Sequence, residues 1–181
     1  MTPQELKNSI LQLAIQGKLV EQRAEEGTGD QLYREILAEK AKLVKAGKIK
    51  KENPLPVIAE DEKPFDIPES WVWTRLGQIG TLIRGITFPG EVKSREMQPD
   101  YIRCATTGSV QFDYNHNADV FVPKEYIKNQ AQWLKINDIM LSSANSKELV
   151  GKSCIWNNHQ AMTFGGFLTV VRVVDVLDKT Y

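Results

Sequence analysis

Cations, amides and hydroxyls crowd four short stretches of this chain: Arg84-Gly-Ile-Thr87, Lys93-Ser-Arg95, Arg103 to Gly108, and Ser142 to Lys152. Arg and Lys bond phosphate oxygens or the major-groove acceptors of guanine, while Asn and Gln match adenine. Ser, Thr and Gly let a backbone come close to either. The residues expected to face DNA are Arg84, Thr87, Lys93, Arg95, Arg103, Thr106, Asn145, Ser146, Lys147 and Lys152. An ordinary polar loop accounts for any one of them, so the argument rests on their combination in one region. The 23 Lys and Arg balance 23 Asp and Glu. Net charge therefore lends no support to nucleic-acid binding, and the distribution of charge must carry it.

Other chemistries lack their residues. No phosphate loop ending in Gly-Lys-Ser/Thr and no Gly-x-Gly-x-x-Gly after a strand is present, which argues against an ATPase or a dehydrogenase. His116 and His159 sit in Asn-rich, turn-like text and pair with no Cys or Glu at metal-ligand spacing. A metal site could arise only if the fold gathered Cys104, Cys154, His116 and His159. The two cysteines otherwise read as reduced, buried thiols of a cytoplasmic protein. Ser142-Ser143 has no identifiable His and Asp partner, and no carboxylate pair stands out as acid and base. No catalytic residue, metal or cofactor is expected.

The elements that must hold these loops fall into two grammars. Thr2, Pro3 and Glu5 form a helix start with a capping box, and the stretch Leu6 to Val20 carries two apolar lines. One is Leu6, Ile10, Leu13, Gly17 and Val20; the other is Leu11, Ile15 and Leu19. Such a helix needs covering on more than one side. A second helix begins near Asp30, with Leu32, Tyr33, Ile36, Leu37, Leu43 and Val44 as its apolar positions and Gly47 as its stop. Six lysines between Lys40 and Lys51, with no acid among them, read as a solvated helix end, with a phosphate contact as the alternative. Prolines 54, 56, 64 and 68 then mark an extended linker.

Beyond the linker the pattern is that of strands. Trp71 to Leu76, Tyr101 to Ala105, Asp119 to Val122, Ile139 to Ser142, Ser153 to Trp156 and Phe167 to Val174 are bounded by turn residues. Short helices are expected at Gly77 to Ile83 and Lys124 to Gln132. Trp71, Trp73, Leu76 and Ile79 are expected in a core, and Phe164-Gly-Gly-Phe167 reads as a tight turn before a core strand. The expected fold is α+β: a helical hairpin over 1–52, a linker over 53–68, and a mostly β, twisted-sheet domain over 69–181. No run of eighteen apolar residues suggests a membrane span.

These words, in this order, resemble the specificity subunit of type I restriction-modification systems. Leu6 to Val20, LKNSILQLAIQGKLV, is similar to the family's helical region, and Ile67 to Ile79, IPESWVWTRLGQI, to its entry into a target recognition domain. Gly85-Ile-Thr, Tyr101-Ile-Arg, Ile136-Asn-Asp-Ile-Met-Leu-Ser and Gly151-Lys resemble later landmarks; Phe88 stands where the family often has Pro. The resemblance covers nearly the whole chain. It implies an N-terminal fragment carrying one of two recognition domains, with a helix expected after Tyr181.

The same resemblance implies three kinds of partner: double-stranded DNA, methyltransferase (M) subunits seated on the helices, and restriction (R) subunits joined through the complex. Methyl transfer, ATP use and cleavage would then belong to those partners. Partner contacts are expected at Leu6, Ile10, Leu13, Gly17 and Val20, with a second copy of the chain as another occupant of that face. A protein-interaction module that touches no DNA is the alternative reading.

Overall fold

The computed structural model describes residues 1–51, 53–144 and 146–178, in two compact units. The first comprises Met1–Ile79 with Val174–Leu177; the body of the second is Gly80–Val173.

In the first unit, helix α1 spans Pro3–Ile15. Its capping box is formed: the Glu5 backbone N–H donates to Thr2 Oγ1 at 3.2 Å and the Thr2 N–H to the Glu5 carboxylate at 2.7 Å. The helix stops five residues before Val20. Gly17 lies at φ +66°, where the N–H groups of Gly17 and Lys18 return to the carbonyls of Ala14 and Leu13 at 3.0 and 2.8 Å. A Cβ at Gly17 would come within 2.6 Å of the Pro68 ring, so packing as well as conformation requires glycine there. Gly17 and Val20 therefore do not continue the helical line of Leu6, Ile10 and Leu13. Helix α2, Gly29–Lys45, opens with a second capping box, Thr28 and Gln31, and ends at Gly47 with φ +68°. Its inward face is Tyr33, Ile36, Lys40 and Leu43, of which only Ile36 is fully buried; Leu32 and Leu37 are exposed.

Trp71 to Leu76 is not a strand. Among the described residues the segment has no ladder partner, and it is held largely by side chains instead. The Gln22 side-chain oxygen accepts from Ser70 Oγ at 3.0 Å and from the Trp71 indole at 2.8 Å, while the Gly29 N–H donates to the Ser70 carbonyl at 2.6 Å. Arg75 donates to the Pro56 carbonyl at 2.9 Å and to both Glu62 oxygens at 2.9 and 2.8 Å, which ties the proline-rich stretch down. Trp71, Trp73 and Ile79 are half-buried, and Leu76 is exposed rather than core. The expected helix over 77–83 is the single turn α3, Leu76–Ile79.

Among the described residues the second unit holds seven strands: β1 Gly80–Arg84, β2 Tyr101–Ala105, β3 Val120–Pro123, β4 Asp138–Ser142, β5 Ser153–Trp156, β6 Thr163–Phe164 and β7 Leu168–Val173. One antiparallel sheet has the order β1-β7-β4-β5. The other has the order β3-β2-β6, with β2 and β6 parallel. Both sheets contribute to one core of Ile83, Ala105, Met140, Trp156, Phe164, Leu168 and Val170. Buried Asp138 pins β4 to β7 through a bidentate pair with Arg172, at 2.7 and 2.6 Å. Strands β1 and β6 escape the sequence reading, and the region 124–132 forms two short 3-10 turns rather than one helix.

Candidate nucleic-acid interface

The strand registers bring four connections to one end of the second unit. Arg84, last in β1, pairs with Thr169 near the start of β7; Ser142, last in β4, pairs with Leu168; Leu141 pairs with Ser153, first in β5. In the other sheet β2 ends at Ala105 opposite Phe164, one residue before the turn into β7. Backbone hydrogen bonds lock these exits together. The Gly85 N–H donates to Leu168 at 3.2 Å, Ile86 to Phe164 at 2.8 Å, Gly165 to Ala105 at 2.9 Å and Ser143 to Phe167 at 3.1 Å. A Cβ on Gly85 would overlap the Gly165 carbonyl, so the approach of the two loops depends on a missing side chain.

This rim carries Arg84, Thr87, Ser146 and Lys147, all exposed. Lys152 is half-buried and donates to the Gln111 side chain at 3.0 Å, joining the 143–152 loop to the loop after β2. Asn145 lies outside the described residues. Lys93 reaches the same region along another path, with its ammonium 5.7 Å from the Phe88 ring centroid, beside Thr87. Between Gly80 and Val173 ten Lys and Arg stand against eight Asp and Glu, so the cations are gathered by placement rather than by excess.

Arg95, Arg103 and Thr106 have partners inside the unit. Ser94 and Phe121 exchange two backbone hydrogen bonds of 2.9 Å, which lays the 93–95 stretch along the outer edge of β3. Arg95 Nη1 donates to the Asp119 carbonyl at 3.4 Å. Arg103 stacks over Phe121 at 5.1 Å and lies 3.4 Å from the Asp119 carboxylate. Thr106 Oγ1 donates to the Ala118 carbonyl at 3.0 Å. Arg103 and Thr106 are half-buried, whereas Arg95 stays exposed.

Asp119, which meets Arg95 through its carbonyl and Arg103 through its carboxylate, is a residue that sequence reasoning missed. Buried at the entry to β3, it accepts from Ser109 Oγ at 2.7 Å and from the Tyr114 hydroxyl at 2.6 Å. Burial first, and then the Asp119 contact, hold the Tyr114 phenol well above its ordinary range. His116 Nδ1 is 3.4 Å from the same carboxylate. Nothing local in Asn-Ala-Asp-Val announces this role, because the partners come from positions 103, 109, 114 and 116.

Both cysteines are free and buried, and burial pushes the Cys104 thiol up to about 12 and the Cys154 thiol up to about 11. Among the described residues no group of three His, Cys, Asp or Glu side chains is placed to hold a metal ion. Nor does any described helix have the length and apolarity to cross a membrane. In the first unit α1 buries no residue, and Leu6, Ile10, Leu11, Leu13, Ile15, Leu19 and Val20 are 41% to 72% exposed. Both apolar lines are thus open within the chain.

No family model matches the chain. It is 40% identical over 139 residues to the specificity subunit of the type I restriction enzyme EcoAI of Escherichia coli, a match covering 76% of this chain and 23% of that subunit. With the EcoEI specificity subunit of the same organism it is 34% identical over 151 residues, 83% of this chain and 25% of the relative. The chain thus spans about a quarter of the length of the curated relatives it matches. A solved HsdS subunit from Thermoanaerobacter tengcongensis aligns over 83% of this chain and 33% of its own, with 18% identity and a TM-score of 0.46.

Proposed function

We propose that this chain, a sequence relative of type I restriction enzyme specificity subunits along most of its length, reads one half of a split DNA target. It would direct partner M and R subunits to that target and perform no chemistry itself. The observation that carries this reading is the convergence of four strand connections on one rim that presents Arg84, Thr87, Ser146 and Lys147 to solvent. A rigid β scaffold with cations and hydroxyls on adjacent loops suits a groove-reading surface, in which phosphate contacts fix position and base-edge contacts fix sequence. Lys93, Arg95 and Lys152 extend the surface, Asn145 belongs to the same loop as Ser146, and the half-buried Arg103 and Thr106 support it from inside.

The proposed division is a helical part over 1–52, a linker over 53–68 and a recognition domain over 69–181. In the helical part, Leu6, Ile10 and Leu13, followed by Gly17 and Val20, would receive a partner helix, from an M subunit or from a second copy of the chain. The exposure of every large apolar residue on α1 supports this.

Charge reversal at the rim tests the DNA reading. In the complete subunit assembled with its M partners, Arg84→Glu with Lys147→Glu should weaken DNA binding at least tenfold. It should also reduce the salt dependence by about one unit of slope for each phosphate contact removed. Methylation mapping should then show loss or change of the target. Unchanged affinity and an unchanged methylation pattern would favour the protein-interaction module.

A further inference from the structure

Phe164-Gly-Gly-Phe167 forms the turn anticipated from its sequence, but its two rings have opposite fates. Phe164 is fully buried in the core between the sheets, whereas Phe167 is 61% exposed at the rim. An exposed phenyl on a mobile loop would mean little. Here the backbone beneath it is fixed: the Leu168 N–H closes the turn on the Gly165 carbonyl at 2.8 Å, and the Phe167 carbonyl accepts from Ser143 N–H at 3.1 Å and Ser143 Oγ at 3.3 Å. Thr169 Oγ1 donates to Ser143 Oγ at 3.1 Å, and Thr169 is the cross-strand partner of Arg84. Phe167 therefore stands on a stiff platform with the Arg84 strand on one side and the Ser146-Lys147 loop on the other. A rigid, two-torsion aromatic loses little conformational freedom when it is captured.

We infer that Phe167 is an apolar wedge that enters a DNA base step when the rim engages the duplex. The inference rests on the DNA-reading proposal and adds to it a mode of recognition. Flanking cations hold the phosphates, and the ring partly unstacks one step and is covered by the bases it separates. Pyrimidine–purine steps open most readily, so the wedge would favour such a step without a hydrogen bond to either base. Phe112 is more exposed, at 98%, yet among the described residues no hydrogen bond holds its own backbone. It lacks the platform that a wedge requires and serves as the internal comparison.

The test uses the complete subunit assembled with its M partners and a duplex carrying the motif mapped by methylation in the wild-type host. 2-Aminopurine is placed at successive steps. The wild-type complex should raise fluorescence at one step, reporting unstacking. Phe167→Ala should abolish that signal and weaken binding about tenfold, the scale of a lost base–aromatic stack. The salt dependence should stay unchanged, because a phenyl releases no counterions. Phe167→Leu, which keeps an apolar wedge, should restore most of the signal, and Phe112→Ala should leave signal and affinity at wild-type values. Specific binding with full fluorescence in Phe167→Ala, or an equal loss in Phe112→Ala, would overturn the wedge alone. A wild-type complex that fails to distinguish the duplex from a scrambled one would overturn the DNA reading as well.

Discussion

Burial gives individual side chains of the second unit properties that their identity does not. Cys104 and Cys154 look alike in the sequence, and the fold turns both into inert core atoms whose thiols resist ionisation. The unfolded chain ionises them near the ordinary 9.0, while the folded chain keeps them protonated towards about 12 and 11. Between those limits the folded state holds more protons, so stability falls as pH rises; the contribution is fully present below pH 9. Urea unfolding from pH 8 to 10.5 should show this decline, and Cys104→Ala with Cys154→Ala should flatten it. An identical slope in the double variant would show that the thiols do not carry the alkaline dependence. Asp119 illustrates what a residue-level reading cannot see. Its role comes from Arg103, Ser109 and Tyr114, which only the return of β3 alongside β2 brings to it.

Elements whose signals are local were legible, and those whose partners are distant were not. Helix α1 starts at the capping box that Thr2-Glu5 spells out, since a cap needs only a span of four residues, and α2 starts one residue before the Asp30 expected, at a Thr28-Gln31 box that went unread. The end of α1 was misplaced because apolar spacing continues to Val20 while Gly17 has already left the helix. Trp71 to Leu76 alternates like a strand, yet Gln22 and Gly29 take its polar groups and no ladder forms. Strand β1 went unrecognised because β7, almost ninety residues later, defines it. The same dependence on distant chain makes the rim sensitive to one methyl group. Gly85→Ala would drive a Cβ into the Gly165 backbone, and we expect a loss of about 3 kcal/mol or more in urea unfolding, on the scale of severe core overpacking. A loss below about 1 kcal/mol would mean that the two loops can separate freely.

At the scale of the whole molecule, the exposed face of α1 is apolar whereas the rim of the second unit presents cations and hydroxyls. Seven exposed apolar residues between Leu6 and Val20 form a surface that water does not favour. The chain on its own should therefore self-associate with rising concentration in sedimentation velocity. Leu6→Glu with Ile10→Glu and Leu13→Glu should return it to monomer without loss of helicity, and monomeric wild-type chain at all concentrations would remove the physical support for a partner at this face.

The sequence by itself determined the α+β division, the helix starts, most strands and the absence of recognisable catalytic motifs, because caps, turn residues and period-two alternation act within a few residues of chain. It also named the cation-bearing loops. Only the tertiary structure decided that Arg84, Thr87 and Lys147 share a rim, that Arg103 pairs with Asp119 and that Thr106 bonds the Ala118 carbonyl. It likewise decided which phenyl of Phe164 and Phe167 faces solvent. Those outcomes depend on strand register, which is set by pairings across the whole second unit and leaves no mark on any single stretch of sequence.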